Sequence, residues 1–117
     1  MVVCAGAWSN NLAKKLGDNF PLDTERGYHV MFDNHGLINR PIGWSQSGFY
    51  LVQLEDGLRA AGTVEIAGLS KPENKKRITM IENQARKLLP QLKEVKTTWL
   101  GFRPTPVSYT HLRAHET

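Results

Sequence analysis

Residues 48–66 constrain the fold most. They read GFYLVQLEDGLRAAGTVEI, two apolar runs joined by Glu55, Asp56 and Gly57. An acidic pair ahead of a glycine that can take positive φ is a hairpin signal, so strands are predicted over residues 48–54 and 58–66. A third strand is predicted just upstream, over 38–43. In the first hairpin strand Phe49, Leu51 and Gln53 alternate with Tyr50, Val52 and Leu54. Both faces are largely apolar, which predicts a sheet covered on both sides. Gly62 implies close approach of a ligand or of another backbone. Thr63 and Glu65 should share a face, with Glu65 an edge ion-pair partner rather than a base.

The other elements are read around this hairpin. Residues 27–32 alternate with Tyr28, Val30 and Phe32 on one side of a strand and His29 and Met31 on the other. His29 in that strand has either a structural role or a place in a substrate pocket. Residues 33–36, DNHG, are a turn, with His35 solvated. Residues 72–89 carry the clearest helical period: Ile78, Ile81, Ala85, Leu88 and Leu92 fall on one face, Ser70 or Asn74 can cap the start, and Pro90 marks the end. This stripe is core packing rather than a cofactor box. At the start of the chain, Val2, Val3 and Cys4 read as a short strand. Ala5, Gly6 and Ala7 read as a tight turn, and residues 8–16 as a helix with Trp8, Leu12 and Leu16 on one face. Ser9 or Asn10 can cap that helix and Gly17 can end it. A strand, a small-residue turn and a helix can present backbone N–H groups to a phosphate, a ribose or a flavin edge, or be an ordinary connection.

A last strand over 95–102 delivers Arg103, inside the run WLGFRPTP at 99–106. Gly101 has no Cβ and allows close approach. Pro104 fixes its own φ and pushes Arg103 towards an extended conformation, so the guanidinium should be held at a strand end. Its fork of donors matches a carboxylate through two charge-assisted hydrogen bonds. The competing reading is a surface arginine lying over Trp99.

Composition excludes several classes. Hydrophobic residues are 40% and charged residues 22%, an ordinary globular balance for one domain or part of one. The net charge of +4 owes much to Lys71, Lys75, Lys76 and Arg77. No aromatics are interleaved there for base stacking, so the run reads as a solvated helix face and no nucleic-acid partner is expected. The single Cys4 allows no internal disulfide and reads as a packed thiol. No signal peptide or membrane-spanning run is expected, and Met1 reads as an internal start. Residues 107–117, VSYTHLRAHET, are identified as a translation of a sequencing-library transposon end and are excluded from the fold. His111 and His115 have the spacing of half a zinc site but lack a third ligand, so no metal is expected.

In order, VVCAGAWS, RGYHV, FYLVQLEDGLRAAGTVE, LLPQL and WLGFRPTP resemble the FAD-dependent D-amino acid oxidase and glycine oxidase family, the bacterial D-amino acid dehydrogenases in particular. The resemblance covers residues 1–106. It implies an α+β fragment of a two-domain flavoenzyme: mostly the mixed, largely antiparallel substrate-domain sheet with flanking helices, plus one βα piece of the FAD domain. Residues 1–17 would return to the FAD domain, 18–98 would form the substrate domain, and 99–106 would return once more. The resemblance further implies that Ala5, Gly6, Ala7 and Trp8 line FAD, and that Arg103 binds the substrate carboxylate. Tyr28, His29 and Tyr50 are pocket-wall candidates by position. The implied reaction is oxidative deamination of a D-amino acid by hydride transfer to flavin, with no general base or metal required. Alternatives are a glycine or sarcosine oxidase using oxygen, or a non-catalytic orphan substrate domain. The expected partner is a small-molecule amino acid, with the electron acceptor open. The expected location is the cytoplasm, with peripheral association at the inner membrane left open. G-x-G-x-x-G does not occur among the 117 residues, so the resemblance implies that FAD is held mainly by parts of the parent outside them, and that this fragment alone is inactive.

Overall fold

In the computed structural model, residues 1–107 are described; the expectations for His111, His115 and most of the excluded tail lie outside them. A single 3₁₀ turn, Gly6–Trp8, leads into helix α1, Ser9–Lys15. Five strands follow: β1 (Leu22–Phe32), β2 (Ile42–Trp44), β3 (Phe49–Leu54), β4 (Gly57–Ile66) and β5 (Val95–Pro106). Helix α2, Lys75–Leu88, lies between β4 and β5 in the chain. The sheet order is β2-β3-β4-β1-β5, and β3 pairs antiparallel with both β2 and β4. A mixed α+β fragment with a largely antiparallel sheet is therefore what the chain forms.

Two compact units divide the described residues. One comprises Met1–Arg26, Glu65–Lys71 and the residues from Phe102 onward; the other comprises Gly27–Val64 and Pro72–Gly101. The second unit holds the hydrophobic core. Alternation along β1 turns Tyr28, Val30 and Phe32 inward, where they meet Phe49, Leu51, Leu58 and Ala60 from the hairpin and Ile81 and Ala85 from α2. The stripe expected on α2 is thus its core face. Asn74 is the cap, its side chain accepting from the Lys76 amide at 3.1 Å. In the hairpin, Leu54 pairs with Gly57 across Glu55 and Asp56, and Gly57 has φ +148°. At Gly62 the close neighbour is backbone, as one of the two alternatives had it: a Cβ there would stand 3.0 Å from the Cα of Phe49.

Several expectations are corrected. Val2, Val3 and Cys4 take no regular structure and Cys4 is exposed, because so short an apolar run becomes a strand only through a hydrogen-bonded neighbour. The 3₁₀ turn buries Ala7 and α1 buries Ala13, while Trp8, Leu12 and Leu16 are exposed. Its start has no side-chain cap: the Asn10 side chain accepts instead from the Phe20 amide at 2.8 Å. Strand β1 begins five residues earlier than the predicted 27, since Thr24 and Arg26 continue the inward alternation of Tyr28. The strand predicted over 38–43 shrinks to Ile42–Trp44, immediately after Pro41. The sheet is covered on one face only in the second unit: Phe49 and Leu51 are buried, whereas Tyr50 is 64% exposed.

Strand β4 changes phase at Thr63, the one described non-glycine residue with positive φ, at +65°. A β-branched side chain is costly in that region. Arg77 contacts its hydroxyl and donates to the Val64 carbonyl at 3.1 Å. Beyond the kink Val64 is exposed and Glu65 buried, so Thr63 and Glu65 do not alternate as a regular strand would place them. Glu65 is an ion-pair partner but on an interior strand, not an edge. Strand β5 is an edge strand, and for that reason tolerates Pro104 and Pro106. Arg103 lies within β5, three residues short of its end.

Candidate functional site

In the first unit, the Phe102 ring lies between two groups. Trp8 meets it edge-on at 5.4 Å, and the Arg26 guanidinium stands over it at 5.7 Å. Arg26 is fully buried; its Nε is 3.8 Å from Glu65 Oε1, and its Nη1 donates to the Lys71 carbonyl at 2.6 Å. The neighbouring positions on the same strands, Glu25 and Arg103, form a second pair, with Nη1 to Oε2 at 3.6 Å. Here the guanidinium is 74% exposed. Alternation explains the contrast, since consecutive residues of a strand face opposite sides. At the other end of this unit's chain, Gly6 has φ +53° and a Cβ there would meet nothing within 4 Å. Its backbone is therefore open, between buried Ala7 and half-buried Ala5, and next but one to the exposed Trp8 indole.

In the second unit, His29 and Trp99 stack at 5.0 Å with 17° between planes. Trp99 lies over Gly101, where a Cβ would meet Trp99 Cζ2 at 3.0 Å among closer ring carbons, so the approach that Gly101 permits is taken by an indole of the same chain. Burial, and then the charge of Arg59, lower the His29 pKa below its ordinary value, which keeps the ring neutral at neutral pH. Tyr50 is on the same open face of the sheet, against Gly43. Tyr28 is not. It is buried on the opposite face, and its hydroxyl accepts from the Asn74 amide at 3.0 Å. As successive residues of one strand, Tyr28 and His29 face opposite sides of the sheet.

The structure thus places Ala5, Gly6, Ala7, Trp8 and Arg103 in one unit, and Tyr28, His29 and Tyr50 in the other. Sequence reasoning missed Arg26, Glu25 and Arg59, and had Glu65 as an ion-pair partner but on an edge. The signal for Arg26 was present: it continues the inward series of Tyr28, Val30 and Phe32 two residues upstream. Among the described residues no group of three or more His, Cys, Asp or Glu side chains could hold a metal ion, and no helix is long and apolar enough to cross a membrane.

The family described as FAD dependent oxidoreductase (DAO) matches residues 1–115. The chain belongs to this family. It is similar to a D-amino-acid oxidase of Bradyrhizobium diazoefficiens, with 42% identity over 89% of this chain and 26% of that one. It is also similar to a D-amino acid dehydrogenase of Paramagnetospirillum magneticum, with 37% identity over 97% of this chain and 28% of that one. Among solved structures, glycine oxidase from Geobacillus kaustophilus shares the fold at TM-score 0.71 and 20% identity, over 89% of this chain and 29% of that chain. The chain therefore spans little more than a quarter of the length of these two curated relatives. The family is FAD dependent, and the residues present fit one part of that group. Open backbone at Gly6 and an exposed indole at Trp8 suit the planar edge of a flavin, while no loop of the chain carries the phosphate-cradling glycine fingerprint.

Proposed function

We propose that the protein to which this chain belongs oxidatively deaminates D-amino acids. The observation that carries this reading is Arg103: an exposed guanidinium on an edge strand, within a chain 42% identical to a D-amino-acid oxidase. Arg103 takes the substrate carboxylate and fixes the orientation of the α-carbon, which is a positioning task. Ala5, Gly6, Ala7 and Trp8 supply the wall against the flavin. His29, as a neutral ring, and Tyr50 are the substrate-facing candidates that the other unit offers. FAD, held beside these residues, would supply the hydride-accepting chemistry, and the protein supplies binding and orientation. In this reading residues 1–17 and 99–106 belong to the FAD domain and 18–98 to the substrate domain.

The test is Arg103→Met in the full-length flavoprotein. Loss of a charge-assisted carboxylate contact should cost about 2–4 kcal/mol. The apparent KM for D-alanine should therefore rise by roughly 30-fold or more while flavin stays bound. An unchanged KM would sink the assignment. A second reading, a glycine oxidase passing electrons to oxygen, is favoured by a 30% identical relative from Pseudomonas putida named glycine oxidase. Stoichiometric peroxide release with glycine as substrate would select it.

A further inference from the structure

We propose that Glu25 binds the α-ammonium of the substrate whose α-carboxylate Arg103 takes. This deepens the function proposed above and rests on it. The two side chains are paired at 3.6 Å, through Nη1 of Arg103 and Oε2 of Glu25. That separation is long beside the roughly 2.8 Å of a formed charge-assisted hydrogen bond. The contact leaves Nε and Nη2 of the guanidinium and Oε1 of the carboxylate without a partner among the described residues. An exposed pair of this kind adds little to folding, so stability does not account for it. Its chemistry suits a dipolar ligand. An α-amino acid carries its negative and positive groups on either side of one carbon, and it can lie antiparallel to an adjacent cation and anion.

The neighbouring pair, Arg26 with Glu65, is the internal contrast. It has the same residue types and a similar separation of 3.8 Å, but side-chain exposures of 0% and 8%. It is closed to any ligand, whereas Arg103 and Glu25 are 74% and 30% exposed. Glu25 also confers a selectivity that Arg103 alone lacks. A simple carboxylate approaching Arg103 meets the like charge of Glu25, while an amino acid offsets that charge with its ammonium. The site therefore prefers amino acids to carboxylates that have no amine.

The experiment uses the full-length flavoprotein, with D-alanine followed by anaerobic flavin reduction and propionate followed by competition. Glu25→Gln should raise the apparent dissociation constant for D-alanine by about tenfold or more. It should leave that for propionate unchanged or lower it. Glu25→Asp, which keeps the charge, should recover most of the D-alanine affinity. Arg103→Met should weaken both ligands. The inference is overturned if Glu25→Gln leaves D-alanine binding unchanged, or if it weakens both ligands alike, which would make Glu25 a prop for Arg103. If D-alanine does not reduce the wild-type flavin at all, the function proposed above fails and this inference falls with it. A variant that loses its flavin is replaced by Glu25→Asp alone, for which D-alanine affinity no better than that of Arg103→Met overturns the proposal.

Discussion

In the unit formed by Gly27–Val64 and Pro72–Gly101, the buried large side chains are Phe32, Phe49, Leu51, Leu58, Ile81 and Val30. In the other unit the buried apolar side chains are alanines, Ala7 and Ala13, and the large buried groups are Arg26 and Glu65. That second group exposes Val2, Trp8, Leu12, Leu16 and Ile66. One unit is therefore held by apolar area removed from water, and the other by one buried ion pair, a cation–π contact and an aromatic edge. The two kinds of cohesion fail differently. Apolar burial is lost in proportion to what is cut away. A buried pair fails abruptly when one partner goes, because the charge left behind has no water to return to.

The largest expected effect tests the first half of this contrast. Phe32→Ala removes a fully buried ring from the core and should cost about 3–5 kcal/mol, seen as a lower urea midpoint. Leu12→Ala, in the other unit, should cost less than about 0.5 kcal/mol by the same measurement. Equal losses would erase the distinction. The second half is tested at Glu65. Glu65→Leu strands Arg26 at zero exposure and should cost about 3 kcal/mol. Adding Arg26→Met should restore most of that loss, since apolar side chains of similar volume replace such pairs well. A double variant as weak as the single one would mean that packing around Phe102, not charge, holds this unit.

The same contrast governs what the sequence reveals. Period-two alternation in 27–32 and 48–54, and the helical stripe of α2, are signals of apolar burial, and they located the second unit's core and its hairpin. The first unit is organised by Arg26, Glu25 and Glu65, whose polar letters look like a connection or a surface. Asp23 and Glu25 are the outward positions of β1, and they concealed that Thr24 and Arg26 point inward. The helical period of Trp8, Leu12 and Leu16 was legible, but a period shows that a face is apolar, not that anything covers it. No letter announces the phase change at Thr63, which buries Glu65 on an interior strand. Arg103 was legible as an exposed strand arginine; its partner Glu25 was not, because ion pairs between distant strands leave no spacing to read.

A smaller effect sharpens the account of the hairpin. Gly62→Ala places a Cβ at 2.5 Å from that of Phe49 and 3.1 Å from the Gly48 carbonyl oxygen. The paired strands are held in register from Phe49↔Gly62 to Leu54↔Gly57, so neither neighbour can retreat without breaking the ladder. The cost should be about 1–3 kcal/mol, the range for overpacking, and thermal unfolding would report it. A neutral substitution would show that the end of the ladder beside Thr63 already yields.

The smallest expected effect is a pH dependence confined to the second unit. Burial and Arg59 lower the folded pKa of His29 below its ordinary value of 6.5. Above that value the ring is neutral in both the folded and unfolded chain, and no proton is linked to folding. As pH falls through 6.5, the unfolded state takes up a proton that the folded state still refuses, so stability declines. The decline levels off once pH passes below the depressed folded value. His29→Gln should remove this slope between neutral and mildly acidic pH, and it should also remove the stack on Trp99. Two slopes measured by urea titration at several pH values separate these effects, since the lost stack shifts stability equally at every pH. A slope that survives His29→Gln would place the titrating group elsewhere in the chain.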